Sequence, residues 1–157
     1  MFTTIEKFRD AFKDVKRRNL DGTRYYIIEE QELAYPSITS VISWINRAKW
    51  ADWQQKVGLE EANRVRKHST TRGTALHRVL EVYLQNGDYQ SLKEYQKPLI
   101  QMMFKSAKKD IDKRLNNIYF QEQQMFSHKM EVAGTVDLVC EVDGELAIVD
   151  FKTSKAE

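Results

Sequence analysis

Asp143-Gly144 constrains this chain more than any other pair of residues. It lies between two runs rich in β-branched residues, and a two-residue type I′ turn needs positive φ at both central positions, which Asp-Gly tolerates. With these two residues as the whole loop, Val142 faces Glu145 and the numbers of every cross-strand pair add to 287. Asp137 then stands opposite Asp150. Alternation puts Val136, Leu138, Cys140 and Val142 with Ala147, Val149 and Phe151 on one apolar face suited to a core. Thr135, Asp137, Asp150 and Lys152 share the other face. Opposed Cβ atoms are about 4.5–5.5 Å apart, and like charges there destabilise a sheet. A divalent cation between the carboxylates would turn repulsion into attraction, with the Lys152 ammonium beside it. Read blandly, the same residues form a solvated strand face, and a bulge at the turn would slip the register.

Upstream, Ile5, Phe8, Phe12 and Val15 recur at three- and four-residue steps, which predicts an amphipathic helix over residues 3–18, stopped by Asn19-Leu20-Asp21-Gly22. Residues 23–29 read as a strand. Ser37 is placed as the N-cap of a short helix through Ile38, Val41, Ile42 and Ile45. A charged helix follows over 49–67, with Trp50, Trp53 and Val57 packing a core, and Tyr25, Tyr26, Tyr35 and Trp44 read as core rather than as stacking platforms. Ser69-Thr70-Thr71-Arg72-Gly73 looks like a cap cluster before a buried helix that ends at Asn86-Gly87. Residues 91–116 read as one more helix, kinked or restarted at Pro98. The lysines at 105, 108, 109 and 113 form a solvated helix face. Strands follow over 118–127, 131–142 and 145–152. Helices followed by an antiparallel meander indicate an α+β fold. A single domain over 1–157 is the simplest division, mainly helical over 1–117 with the meander over 118–157.

Composition limits the setting. With 41% hydrophobic and 31% charged residues, disorder and collagen-like repetition are excluded. Cys140 is the single cysteine, so no internal disulfide forms, and an intracellular, cytoplasmic location is expected. The longest apolar run, Leu146 to Val149, is far short of the ~20 residues of a membrane span, and residues 1–7 have neither secretory nor transit-peptide character. With 25 Lys plus Arg against 23 Asp plus Glu, net charge names no partner.

Taken together the motifs look familiar. Gly134-Thr-Val-Asp137 followed by Ile148-Val-Asp150-Phe-Lys152-Thr-Ser resembles the PD-(D/E)xK nuclease signature. Arg72-Gly-Thr-Ala-Leu-His77-Arg-Val-Leu-Glu81 is similar to the histidine motif of the RecB-like exonuclease branch. Tyr35-Pro-Ser-Ile-Thr-Ser-Val-Ile42 looks like the opening motif of mitochondrial genome maintenance exonucleases and their phage relatives.

That resemblance implies a restriction-endonuclease-like α+β fold and a metal-dependent exonuclease acting on DNA, single-stranded or with free ends, in replication, recombination or repair. A bacterial or phage-infected cell is the implied setting, ahead of a mitochondrion. His77, Asp137 and Asp150, with the carbonyl of Phe151, would hold Mg²⁺ or Mn²⁺. Asp137, Asp150 and Lys152 would be catalytic, with Lys152 orienting or deprotonating the attacking water. Glu81 and Glu122 are outer-shell candidates, Glu122 being equally readable as an exposed strand carboxylate. Arg72, Thr74, Thr153, Ser154 and Lys155 are candidate nucleic-acid contacts. Members of the branch continue past the Asp-x-Lys strand with a helix carrying Gln-x-x-x-Tyr and a further strand, whereas this sequence ends five residues after Lys152. The expectation is a truncated chain, or one completed by a partner chain, whose apolar hairpin face would otherwise stand uncovered. A non-catalytic nucleic-acid-binding or assembly module that keeps the fold is the alternative.

Overall fold

The computed structural model describes residues 1–8, 10–12 and 14–153. Its elements run β1 (Val15–Leu20), β2 (Thr23–Ile28), β3 (Leu33–Pro36), α1 (Ile38–Ile45), α2 (Arg47–Val57), α3 (Leu59–Leu84), α4 (Pro98–Arg114), β4 (Leu115–Ser127), β5 (Val132–Val142) and β6 (Glu145–Val149). Two three-stranded sheets form, in the orders β1-β2-β3 and β4-β5-β6. With the four helices they make an α+β fold. The chain divides into two compact units. One holds Met1–Phe8, Arg64–Glu122 and the chain from Asp137 onward, and the other holds the residues between Phe8 and Arg64 together with Gln123–Val136.

In the first unit the Asp143-Gly144 turn forms, with φ of +54° and +87°. β5 pairs antiparallel with β6 from Leu138↔Val149 to Val142↔Glu145, the register expected of a two-residue loop. Leu138 and Cys140 are fully buried, and Val142, Val149 and Phe151 pack against the same core. The opposing surface is helical. Ala75, Leu76, Val79, Leu80 and Leu84 recur along one side of α3, and α4 supplies Ile100, Phe104 and Ile111. This corrects the expectation of an uncovered apolar face, because α3 and α4 supply the cover. Around Phe104 the rings of Tyr89, Tyr83 and Tyr95 gather at centroid distances of 4.7, 5.2 and 5.6 Å, in edge-on or tilted geometries that add to their area burial.

The second unit is built on a sheet where a helix was expected over residues 3–18. Asp21 and Gly22 have φ of +48° and +77° and form another two-residue turn, pairing Leu20 with Thr23 and Val15 with Ile28. The helical spacing of Ile5 to Val15 loses because Val15 gains cross-strand burial with Tyr26, Ile28 and Ala133. Near the N-terminus, in the first unit, Thr4 makes a parallel bridge to Ile118. β2 continues into the β3 pairing, and Ser37, at the N-cap position of α1, is buried, with its N–H donating to the Arg24 carbonyl at 2.8 Å. The Ser37 hydroxyl lies 2.7 Å from that of Thr39 and makes no side-chain cap.

Helix boundaries differ from the periodicity reading at Gly58, at residues 69–73 and in the expected 91–116 helix, of which only Pro98–Arg114 is α-helical. The expected 49–67 helix is broken at Gly58, which has φ +85° and closes α2. The cap cluster at 69–73 is absent, because α3 begins at Leu59 and runs unbroken through it. Pro98 stands in the first turn of α4, where its missing N–H costs nothing. α2 has no buried residue and Trp50 is 59% exposed, so the expected Trp core is corrected, while Tyr26 is core as expected and Trp44 is not. On α4 the face at 105–113 is solvated, with Lys108 paired to Asp112.

Leu138→Ala should cost about 2–5 kcal/mol, because it empties a fully buried position, and urea unfolding would measure it. Burial pushes the Cys140 thiol up to about 11, so a thiol reagent at neutral pH should label only unfolded molecules, and should do so faster in Leu138→Ala.

Candidate active site

His77 follows the core residue Leu76 on α3, so the helix that packs the core of the first unit also aims the imidazole. Its Nε2 lies 2.7 Å from the carbonyl oxygen of Phe151. A carbonyl only accepts, so Nε2 carries a proton, and in the neutral ring Nδ1 is the nitrogen with the free lone pair. Nδ1 stands 3.6 Å from Asp137 Oδ1 and 4.0 Å from Glu122 Oε1. Asp137 is fixed through its other oxygen, since the Phe151 N–H donates to Oδ2 at 2.7 Å. The two main-chain groups of Phe151 therefore hold His77 and Asp137 at once.

Glu122 completes the group from β4. It has φ +50°, uncommon for any residue but glycine and found at bulges, where an extra residue re-aims a side chain. One ligand atom from each of His77, Glu122 and Asp137 lies within 4.8 Å of the others. Burial, and then the Asp137 charge, hold the Glu122 carboxyl above its ordinary range.

The other signature residues stand differently. The β5–β6 ladder ends at Leu138↔Val149, one step before the expected Asp137–Asp150 pair. The next main-chain N–H that could continue it, that of Phe151, bonds the Asp137 carboxylate instead. Asp150 accepts from Lys152 Nζ at 2.8 Å, and both side chains are exposed. The structure thus brings His77, Glu122 and Asp137 together and sets Asp150 and Lys152 as a pair outside that group. Glu81 accepts from Arg78 at 2.7 Å, and its carbonyl accepts from Gln121 Nε2 at 2.9 Å. Arg72 makes a long 3.5 Å hydrogen bond to the Thr153 carbonyl, while its buried Nε has no partner. Thr74 is exposed on α3. Ser154 and Lys155 lie outside the described residues.

The family model for the PD-(D/E)XK nuclease superfamily matches residues 51–157. The chain belongs to that superfamily. Comparison with curated proteins and with solved structures returned no match. Membership implies nuclease-type phosphodiester hydrolysis with DNA as substrate, and nucleases of this superfamily use divalent metals. The donor set fits such an ion, since two carboxylates and an imidazole nitrogen with a free lone pair converge without hydrogen-bonding one another. The Glu122 carboxyl is raised by burial first and then by the Asp137 charge, against which His77 acts. No helix among the described residues is long and apolar enough to cross a membrane.

Glu122 was the hardest of these residues to read from sequence, because nothing in Gln121-Glu122-Gln123-Gln124 announces a positive φ. The one available signal is that it is the single carboxylate in β4.

In metal-free protein, Glu122 ionises less readily folded than unfolded. Stability should therefore fall as pH rises from the ordinary glutamate range, 4.5, through the raised folded value, and stay lowered above it. Glu122→Gln should flatten this slope in urea unfolding with chelator across that range.

Proposed function

We propose that this nuclease is a divalent-metal-dependent exonuclease of the RecB-like type, removing nucleotides from DNA ends in replication, recombination or repair inside a cell. The observation that carries the reading is the convergence of His77 Nδ1 with the carboxylates of Glu122 and Asp137, beside a hairpin that leads directly into Asp150-Phe151-Lys152. The RecB-like assignment draws on the Arg72-to-Glu81 histidine motif and on Tyr35-Pro-Ser-Ile-Thr, and the exonuclease assignment follows from that branch.

His77, Asp137 and Glu122 would hold Mg²⁺ or Mn²⁺, with Asp150 joining them when its exposed carboxylate turns from Lys152. A bound ion supplies Lewis-acid polarisation of the scissile phosphate and stabilises the charge that grows in the transition state. Phe151 keeps Asp137 oriented through its N–H and keeps His77 in the tautomer that frees Nδ1. Lys152 would orient the attacking water, donating from Nζ to it or to a phosphate oxygen, or would deprotonate it. Until Asp150 turns toward the ion, its carboxylate holds that ammonium in place. Arg72, Thr74 and Thr153, followed in sequence by Ser154 and Lys155, offer donors to the phosphates beside the cut.

A second reading, a binding or assembly module without turnover, is favoured by one observation, the position of Asp150 outside the three-residue group. End-labelled linear DNA with Mg²⁺ or Mn²⁺ separates the two. The exonuclease degrades linear but not covalently closed circular DNA, and Lys152→Ala lowers the rate about 10²–10⁴-fold. Undiminished activity in that variant sinks the mechanism. Salt-sensitive binding with no product at any enzyme concentration assigns the module instead. Mn²⁺ at about a hundredfold its dissociation constant should stabilise the protein by about 2.7 kcal/mol, and Asp137→Asn should abolish most of that gain in a thermal melt.

A further inference from the structure

The second unit contains a groove that the hydrolytic reading does not use. Its volume is about 540 Å³, within the range of small-ligand sites, and it is walled by the β1–β2 turn, by α1 and by the start of α2. Arg24 enters from β2 and Arg47 from α2, and no carboxylate lines the groove. Neither guanidinium has an ion-pair partner among the described residues. α1 adds Thr39, Ser40 and Ser43 to the lining, the Thr39 hydroxyl being paired with that of Ser37. The Trp44 ring stands at the rim, 75% exposed, and no ring contact occupies it among the described residues.

Two arginines without ion-pair partners among the described residues, sharing a groove with hydroxyl-bearing residues, select an anion with several oxygens, such as a phosphodiester. An exposed indole beside them selects a flat ring attached to that anion. A duplex keeps its bases stacked inside and has no free face to offer. The groove is open rather than enclosed, as a track for a continuing strand requires. We infer that this groove binds single-stranded nucleic acid, with phosphates on Arg24 and Arg47 and one base stacked on Trp44. The choice of ligand rests on the nuclease reading, whereas the groove's chemistry does not.

Binding of a labelled oligothymidylate of about twelve nucleotides, a length within known single-strand site sizes, tests this with the whole chain in chelator, so that no cleavage intervenes. Trp44→Ala should weaken binding about tenfold with the salt slope unchanged, and Trp44→Phe should restore most of the loss. Arg24→Ala and Arg47→Ala should each lower the slope of log affinity against log salt by about 0.7, and the corresponding Lys variants should keep it. Circular dichroism verifies that each variant is folded. Unchanged affinity and slope in the Ala variants overturns the inference. So does competition by thymidine monophosphate or inorganic phosphate as strong as that of the oligonucleotide, which would make the groove a mononucleotide or phosphate site. Metal-dependent cleavage by the wild type is scored separately: cleavage without groove effects defeats the groove alone, and groove effects without cleavage defeat the hydrolytic function alone.

Discussion

The main chain of a single residue, Phe151, organises the candidate active site. The Phe151 carbonyl takes the Nε2 proton of His77, and the Phe151 N–H takes one oxygen of Asp137. Each bond settles an ambiguity that the side chain alone leaves open, the tautomer of the imidazole in one case and the orientation of the carboxylate in the other. What remains available, Nδ1 of His77 and Oδ1 of Asp137, faces Glu122. Both bonds come from main-chain atoms, so a change of side chain at position 151 removes neither directly, and proline would delete only the N–H that holds Asp137.

Core and site share the same elements. On α3 His77 lies between Leu76 and Val79, both buried, and on β5 Asp137 precedes Leu138, which is fully buried. The alternation of a strand and the pitch of a helix turn one set of side chains into the core and the next set toward the ligands. A helix shift large enough to move His77 must also disturb the packing of Leu76, Val79 and Leu80. Positional precision at the site therefore follows from close packing beneath it, where volume changes of one methylene are felt.

Much of this was legible in the sequence because the turn chemistry is explicit. Asp143-Gly144 fixes a loop length, a loop length fixes a register, and the register sorts buried from exposed side chains along β5 and β6. The same dipeptide at Asp21-Gly22 was read as a helix stop, since the spacing of Ile5, Phe8, Phe12 and Val15 imitates a helical stripe when strand pairing is ignored. The hydroxyl cluster at 69–73 imitates a cap, but a cap needs a chain that arrives from outside the helix, and α3 had already begun at Leu59. At the site, His77, Asp137, Asp150 and Lys152 stood out by residue type and spacing. The end of the ladder before Asp150 and the place of Glu122 did not, because both depend on where a main-chain N–H goes rather than on which side chain is present. Arg24 and Arg47 escaped notice for a related reason: they are 23 positions apart and meet only through the path of β2, β3 and α1.

Glu122 places the two demands on this protein in opposition. A non-glycine residue in the left-handed region costs roughly 1–2 kcal/mol, and here the residue is also an acid pressed against another acid. Glycine would relax the backbone and remove the repulsion in one step, and would delete one of the three converging groups in doing so. The position is thus one where selection for folding alone and selection for chemistry favour different residues, as at many sites that trade stability for activity. A search for stabilising substitutions, blind to function, would be drawn to position 122 and would disarm the site when it succeeded.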